Sequence, residues 1–315
     1  MSSIIFGPVP SRRLGRSLGI NNIPPKFCSY SCLYCQVGRT AHTVVGLRTF
    51  YQPDEIFQAV KAQILAVQAV GEKIDYLTFV PDGEPTLDMH LGETIDLLRS
   101  LNIRIAVISN ASLIWREEIQ TVLHKADLVS LKVDAVDDVL WHKINQPHES
   151  LKLSTILQGI GKFAEQYQGE LITETMLLSG INDSRKAVSG VADFLEELQP
   201  AKAYVAVPTR PAAEVNILSP SEEVIVQAYN IFSEKLAHVE YLIGYEGNAF
   251  AYTGDVEQDL LSITAVHPMR EDAVNEMLFK AGLSWDVIQA LLDSNKLKKV
   301  EFSGKIFYVR HLAVN

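Results

Sequence analysis

From about residue 18 to residue 243 the chain alternates between short apolar stretches and longer segments of helical period. Seven stretches read as strands: Leu18 to Ile23, Ile74 to Val80, Ile103 to Ile108, Leu128 to Val133, Leu171 to Leu178, Ala203 to Val207 and Glu240 to Ile243. Between them lie helical patterns over Pro53 to Val70, Asp88 to Leu101, Trp115 to His124, Leu153 to Gln166, Ser184 to Leu198 and Ser221 to His238. Such βαβ repetition demands a parallel sheet with helices packed over it. The expected fold class is α/β, a complete or partial parallel β/α barrel over residues 1–250, with a doubly wound sheet as the other arrangement of the same elements.

Near Asp255 the pattern changes. Helical segments over Val256 to Ala265, Arg270 to Ala281 and Ser284 to Asp293 precede two strands, Leu297 to Phe302 and Lys305 to Arg310, around the turn dipeptide Ser303-Gly304. Residues 255–315 therefore read as a small winged helix-turn-helix-like domain. Its expected recognition helix carries Asp286 and Asp293 and no Lys or Arg; the cations Lys296, Lys298, Lys299, Lys305 and Arg310 fall on the wing. A protein-contact or substrate-lid role fits that pattern better than duplex binding, with a purely structural appendage as the further alternative.

In either sheet arrangement the chemistry gathers at the carboxyl ends of the strands. Those ends read Asp82-Gly83-Glu84-Pro85-Thr86, Ser109-Asn110, Lys132 with Asp134, Thr175 followed by Gly180-Ile181-Asn182-Asp183, and Pro208-Thr209-Arg210-Pro211. Asn182-Asp183-Ser184 also suits a helix cap. The formal charge of −10 gives the whole molecule no general attraction for nucleic acid or anionic membrane. The first 50 residues are the exception, with Arg12, Arg13, Arg16, Lys26, Arg39 and Arg48 and no acid. An anionic ligand near this segment is expected. With no long apolar run, a cytoplasmic location away from membranes is expected as well.

All three cysteines fall in Cys28-Ser29-Tyr30-Ser31-Cys32-Leu33-Tyr34-Cys35. The spacing is too tight for a disulfide framework and suits metal or redox ligands, either an iron–sulfur cluster or, with a fourth ligand such as His42, zinc. Three thiolates on a four-iron cube leave one iron open to another ligand.

With Tyr34 ahead of the last cysteine, this motif resembles that of the radical S-adenosylmethionine (SAM) superfamily. The resemblance implies that Cys28, Cys32 and Cys35 hold a 4Fe-4S cluster whose open iron takes the amino and carboxylate groups of SAM. It further implies reductive cleavage of SAM to a 5′-deoxyadenosyl radical that abstracts hydrogen from substrate. Gly83-Glu84-Pro85 is similar to the superfamily's Gly-Gly-Glu strand end, which contacts the SAM amino group, although Asp82 stands in place of the first glycine. Ser109 and Asn110 resemble the ribose-contacting positions, and Lys132 one that meets the SAM carboxylate or the substrate. Phe6-Gly7-Pro8-Val9-Pro10-Ser11-Arg12-Arg13-Leu14-Gly15-Arg16-Ser17-Leu18-Gly19-Ile20-Asn21, the loop at Gly83 to Thr86 and Pro208-Thr209-Arg210-Pro211 resemble a group of iron–sulfur oxidoreductases similar to the enzyme that makes the tricyclic base of wybutosine in tRNA. Three cysteines cannot supply the second cluster of that tRNA enzyme.

The implied activity is that of an oxidoreductase or transferase with one cluster and an anionic substrate, a nucleotide or tRNA base among the candidates. Arg12, Arg13, Arg16 and Arg210 are the candidate substrate residues. A low-potential donor such as flavodoxin or ferredoxin is the expected electron partner. Two other readings compete: an activating enzyme that places a glycyl radical on a partner protein, and a metal-containing SAM sensor whose winged helix binds DNA.

Overall fold

The computed structural model describes residues 4–214, 216–244, 250 and 255–311. Eight strands form one sheet in strict chain order: β1 (Ile5–Ser11), β2 (Gly15–Ile20), β3 (Tyr76–Phe79), β4 (Arg104–Ser109), β5 (Leu128–Lys132), β6 (Glu170–Met176), β7 (Lys202–Ala206) and β8 (Val239–Leu242). From β2 to β8 every pairing is parallel. Sequential order means that every crossover runs the same way round, so the sheet is a partial β/α barrel and the doubly wound alternative is set aside.

β1 pairs with β2 antiparallel and was not expected, because Pro8 and Pro10 interrupt its apolar run. It lies at one edge of the sheet, where a residue without an N–H leaves no ladder bond unmade.

Helices α1 (Pro53–Ala69), α2 (Leu91–Leu98), α3 (Glu117–Leu123), α4 (Asp138–Asn145), α5 (Leu153–Gln166), α6 (Arg185–Leu198) and α7 (Glu222–Ser233) connect the parallel strands. Each buries one stripe: α1 buries Ile56, Val60, Ile64 and Val67, and starts with Pro53 at its first turn, where a missing N–H costs nothing. Ser184 caps α6 by accepting from Ala187 N, so the capping expectation holds for that residue. Asn182 has a different task. Its amide donates to the Asp134 and Met176 carbonyls and its Oδ1 accepts from Leu178 N, tying the ends of β5 and β6 together. The short helix α4 escaped the sequence reading; its cap Asp137 accepts from Leu140 N, and Trp141, Ile144 and Asn145 are buried.

Alternation along the strands separates two cores. Leu77, Phe79, Ile105, Val107, Val129, Leu131 and Val205 face the helices. Leu14, Tyr76, Ala106, Leu128, Ile172 and Tyr204 meet inside the barrel and close its floor. The same parity carries Thr78, Lys132, Glu174 and Met176 upward along the inner face.

Beyond the sheet come α8 (Val256–Val266), β9 (Met269–Arg270), α9 (Glu271–Ala281), α10 (Asp286–Asp293), β10 (Leu297–Phe302) and β11 (Lys305–Arg310). The last two strands form the expected hairpin, and the two-residue β9 adds to β11, giving the order β10-β11-β9. Phe6 and Val9 of β1 belong to the apolar core of this unit, alongside Phe250, Leu260, Ile263, Met269, Leu278, Ile288 and Tyr308. Among the described residues no helix is long and apolar enough to cross a membrane.

Candidate functional site

The cysteine segment follows β2 and crosses the carboxyl end of the sheet. Backbone bonds hold it on three sides. Lys26 N donates to Asp82 O at 2.8 Å and Glu84 N to Phe27 O at 2.9 Å, lacing the segment to the end of β3. Ser31 N and Leu33 N donate to the Asn145 and Ile144 carbonyls at the end of α4, and Val44 N closes the loop onto Cys28 O. Gly83 is required here: a Cβ at that position would stand 1.9 Å from the Phe27 carbonyl oxygen.

Cys28, Cys32 and Cys35 are free thiols, all partly buried. Burial pushes all three upward in pKa, Cys32 to about 12 with Asp134 adding to the effect. For Cys35 the Lys26 ammonium works in the opposite sense. Without a metal these groups are protonated thiols; cations bound there would displace the protons. An all-sulfur donor set on one short loop, beside a buried cation and two side-chain amides, suits an iron–sulfur cluster. Among the described residues no three His, Cys, Asp or Glu side chains surround a single-ion site.

The two amides belong to Asn110 and Asn145. Asn110 Nδ2 lies 3.5 Å from Cys28 Sγ and Asn145 Nδ2 lies 3.4 Å from Cys32 Sγ. Tyr34 does not project freely toward a ligand; its hydroxyl donates to Asp134, and the Lys132 ammonium sits 4.7 Å over its ring. Glu84 is buried and surrounded by donors: Thr86 N and Oγ1, Ser109 Oγ at 2.8 Å and Asn110 N at 2.7 Å. Burial raises its pKa against the pull of those bonds. Gly83, Glu84, Pro85, Ser109 and Asn110, separate in sequence, thus form one hydrogen-bonded patch beside Cys28.

Next to this patch opens a chamber of about 290 Å³, lined by Cys35, Gln36, Asp82, Lys132, Glu174, Arg13, Arg210 and His267 among others. At its centre Glu174 accepts from both Arg13 Nη1 and Lys132 Nζ, the latter at 2.5 Å. Burial alone would lower the Lys132 pKa, but Glu174 and Asp134 reverse that and hold it protonated. Arg210 donates to Gln36 Oε1 at 3.1 Å and to His267 Nε2 at 2.5 Å. His267, at the end of α8, brings the C-terminal unit into the chamber wall.

The other two candidate arginines stand elsewhere. Arg16 pairs with Glu72 at 2.6 Å and bonds the Lys73 carbonyl near the start of β3, far along the strand from the cysteines. Arg12 is exposed and crosses Gly244 after β8. Four side chains were not singled out from sequence: Glu174, Gln36, Asn145 and His267. For Glu174 a signal existed, since parity with Ile172 and Met176 turns it inward whereas Thr175, the residue noted there, bonds the Val133 carbonyl instead.

Asp82 lines the same chamber at 3% exposure, and among the described residues neither carboxylate oxygen has a hydrogen-bond partner. Burial raises its pKa from 3.8 to about 7, against the attraction of Lys26 and Arg310. A folded-state value above the unfolded one means that the native chain binds this proton more tightly. Stability from this group is therefore greatest below about pH 4, falls as the pH rises toward 7 and is level above. Asp82→Asn in the cluster-free chain should flatten that slope and raise stability at pH 8 by up to about 4 kcal/mol. Denaturant unfolding at pH 5 and pH 8 checks it; equal slopes in variant and wild type would refute it.

Comparison with known proteins gives a consistent picture. Residues 22–188 match the radical SAM superfamily. A UPF0026 protein of Methanocaldococcus jannaschii is 48% identical over 312 residues, which cover 98% of this chain and 97% of that protein. A UPF0026 protein of Helicobacter pylori is 33% identical over 67% of this chain and 68% of its own. Among solved structures, a radical SAM methyltransferase from Sphaerobacter thermophilus superposes with a TM-score of 0.53 at 16% identity, covering 72% of this chain and 66% of that one. TYW1 with a lysine–pyruvate adduct bound gives 0.52, also at 16% identity, over 70% and 74%. At such identities the structural likeness is one of fold.

Proposed function

Because the chain belongs to the radical SAM superfamily, whose members use a 4Fe-4S cluster and SAM, we propose that it holds one such cluster on Cys28, Cys32 and Cys35 and acts on a small anionic substrate in the adjoining chamber. The cofactors supply one-electron cleavage of a SAM carbon–sulfur bond and, from it, the hydrogen-abstracting species. The chain supplies the rest. Gly83, Glu84 and Pro85 with Ser109 and Asn110 form the seat for SAM beside Cys28, with Tyr34 walling the loop and Lys132 at the boundary between SAM and substrate. Arg13 and Arg210 present planar donors to a carboxylate or phosphate. Leu14, Val80, Ile108 and Met176 keep the same space apolar and exclude water.

The observation that carries this reading is the convergence of Arg13, Lys132 and Arg210 in one chamber that reaches Cys35. A single cluster accords with the three cysteines of the whole chain. The C-terminal unit, which we read as winged-helix-like from its hairpin and helix order, serves as a wall: His267 faces the chamber, and no Lys or Arg lies on α10. That wall favours a small molecule over a polynucleotide. A low-potential protein such as flavodoxin or ferredoxin is the proposed electron donor.

The test is anaerobic incubation of reconstituted protein with SAM and dithionite, followed by detection of 5′-deoxyadenosine. Four irons per chain and a SAM-dependent product support the reading; stoichiometric zinc without a cluster signal sinks it. Transfer of deuterium from a labelled candidate substrate into 5′-deoxyadenosine then identifies the molecule acted on.

A further inference from the structure

We propose that the side-chain amides of Asn110 and Asn145 are hydrogen-bond donors to the sulfurs of Cys28 and Cys32 and raise the reduction potential of the cluster held there. The inference rests on the cluster reading above and adds to it two residues that tune the electron-accepting step.

The direction in which each amide points is determined by its other bonds. Asn110 Oδ1 accepts from Ser112 N at 2.9 Å, so its Nδ2 must face Ser29 Oγ at 2.9 Å and Cys28 Sγ at 3.5 Å. Asn145 Nδ2 donates to Asp134 Oδ2 at 2.8 Å, which leaves its second N–H for Cys32 Sγ at 3.4 Å. Asp134 is itself immobilised, since Oδ1 accepts from Met176 N at 2.9 Å and Oδ2 also accepts from the Tyr34 hydroxyl. Neither amide can turn away without breaking a buried bond.

The two donors come from different elements, the end of β4 and the last turn of α4, and converge on one loop. Cys35 has a charge in place of an amide: Lys26 acts on it electrostatically. Reduction adds one electron, taken from a low-potential donor or from dithionite, with no bond made or broken and no proton moved. The added negative charge spreads onto the thiolate sulfurs, where an N–H donor stabilises it more than it stabilises the oxidised form. Asp134 opposes this at Cys32, so Asn145 also separates a carboxylate from the sulfur it would repel.

Replacement of either asparagine by leucine, close in shape and without a donor, should leave four irons per chain. At a fixed potential the ratio of oxidised to reduced cluster should rise on the order of tenfold, equivalent to about 59 mV for one electron. The measurement is an EPR-monitored redox titration without SAM. A second measurement does not depend on the variants folding: wild-type protein carrying ¹⁵N-labelled asparagine should show side-chain nitrogen coupling to the reduced cluster by pulsed EPR. Wild-type midpoints in both iron-replete variants, or a wild-type cluster with no asparagine coupling, would overturn the proposal while leaving the cluster reading intact. Failure of the wild type to take up a cluster would overturn both.

Discussion

Replacing Cys28, Cys32 or Cys35 by alanine should abolish 5′-deoxyadenosine formation in each single variant, while the protein should stay folded. The expectation of complete loss follows from ligand number. A four-iron cube on three thiolates has no spare protein ligand, and the three cysteines are all that the chain contains. His42 does not compensate, because the loop is pinned by backbone bonds to Asp82, Ile144 and Asn145 and cannot reorganise around a new donor without breaking them. The fold should survive because the thiols are only partly buried and sit at the edge of the main core, against which Cys28 and Cys32 pack. Iron content, the visible spectrum of the cluster and far-ultraviolet circular dichroism measured on the same samples separate loss of cluster from loss of fold. Retained SAM cleavage in any one variant would mean that its cysteine is no ligand.

Much of this architecture was visible in the order of the residues. Parallel strands are buried on both faces, so Leu77 to Phe79, Leu128 to Leu131 and Ala203 to Ala206 stand out as short apolar runs between helices with one apolar stripe. The cysteines were equally legible, since their spacing is a local property. What stayed hidden depends on long-range registration. β1 shows a proline-broken pattern, which becomes a strand only because it lies at an edge beside β2. Glu174 looks like an ordinary strand-end acid until β6 places it between Arg13, 161 residues away, and Lys132. His267 lies at a helix end in a segment that reads as a separate domain, and only the packing of α8 against β1 turns it toward Arg210. Arg16 was misleading for the same reason in reverse: its neighbourhood in sequence is that of Arg13, but Arg13 faces the chamber and Arg16 the opposite end of the strand.

Glu174→Gln should cost the protein about 3 kcal/mol, and inorganic phosphate should restore more of that loss than it adds to the wild type. Glu174 is the shared carboxylate between Arg13 and Lys132, with side-chain exposures of 8%, 16% and 18%. Removing the charge from one member of a buried ionic cluster leaves the others uncompensated, which is far more damaging than losing a surface pair. The amide of Gln occupies the same space but carries no charge, and it can accept from only one of the two cations while its NH2 faces the other. The result is a chamber in which Arg13 and Lys132 have lost the carboxylate they shared, with Asp134 left as a neighbouring charge for Lys132 and Arg210 in the same lining. An anion that enters should then bind them, and because it binds only the folded state it raises the melting temperature with its concentration. The added variant Arg13→Lys keeps the charge and removes the planar pair of donors, so phosphate should rescue the double variant less well. If phosphate stabilises Glu174→Gln no more than it stabilises the wild type, these cations are closed to solvent anions and the anionic-substrate reading loses its support. A selective rescue would show that an anion can enter the chamber and reach Lys132 and Arg13 once their internal partner has lost its charge, as the anionic-substrate reading requires.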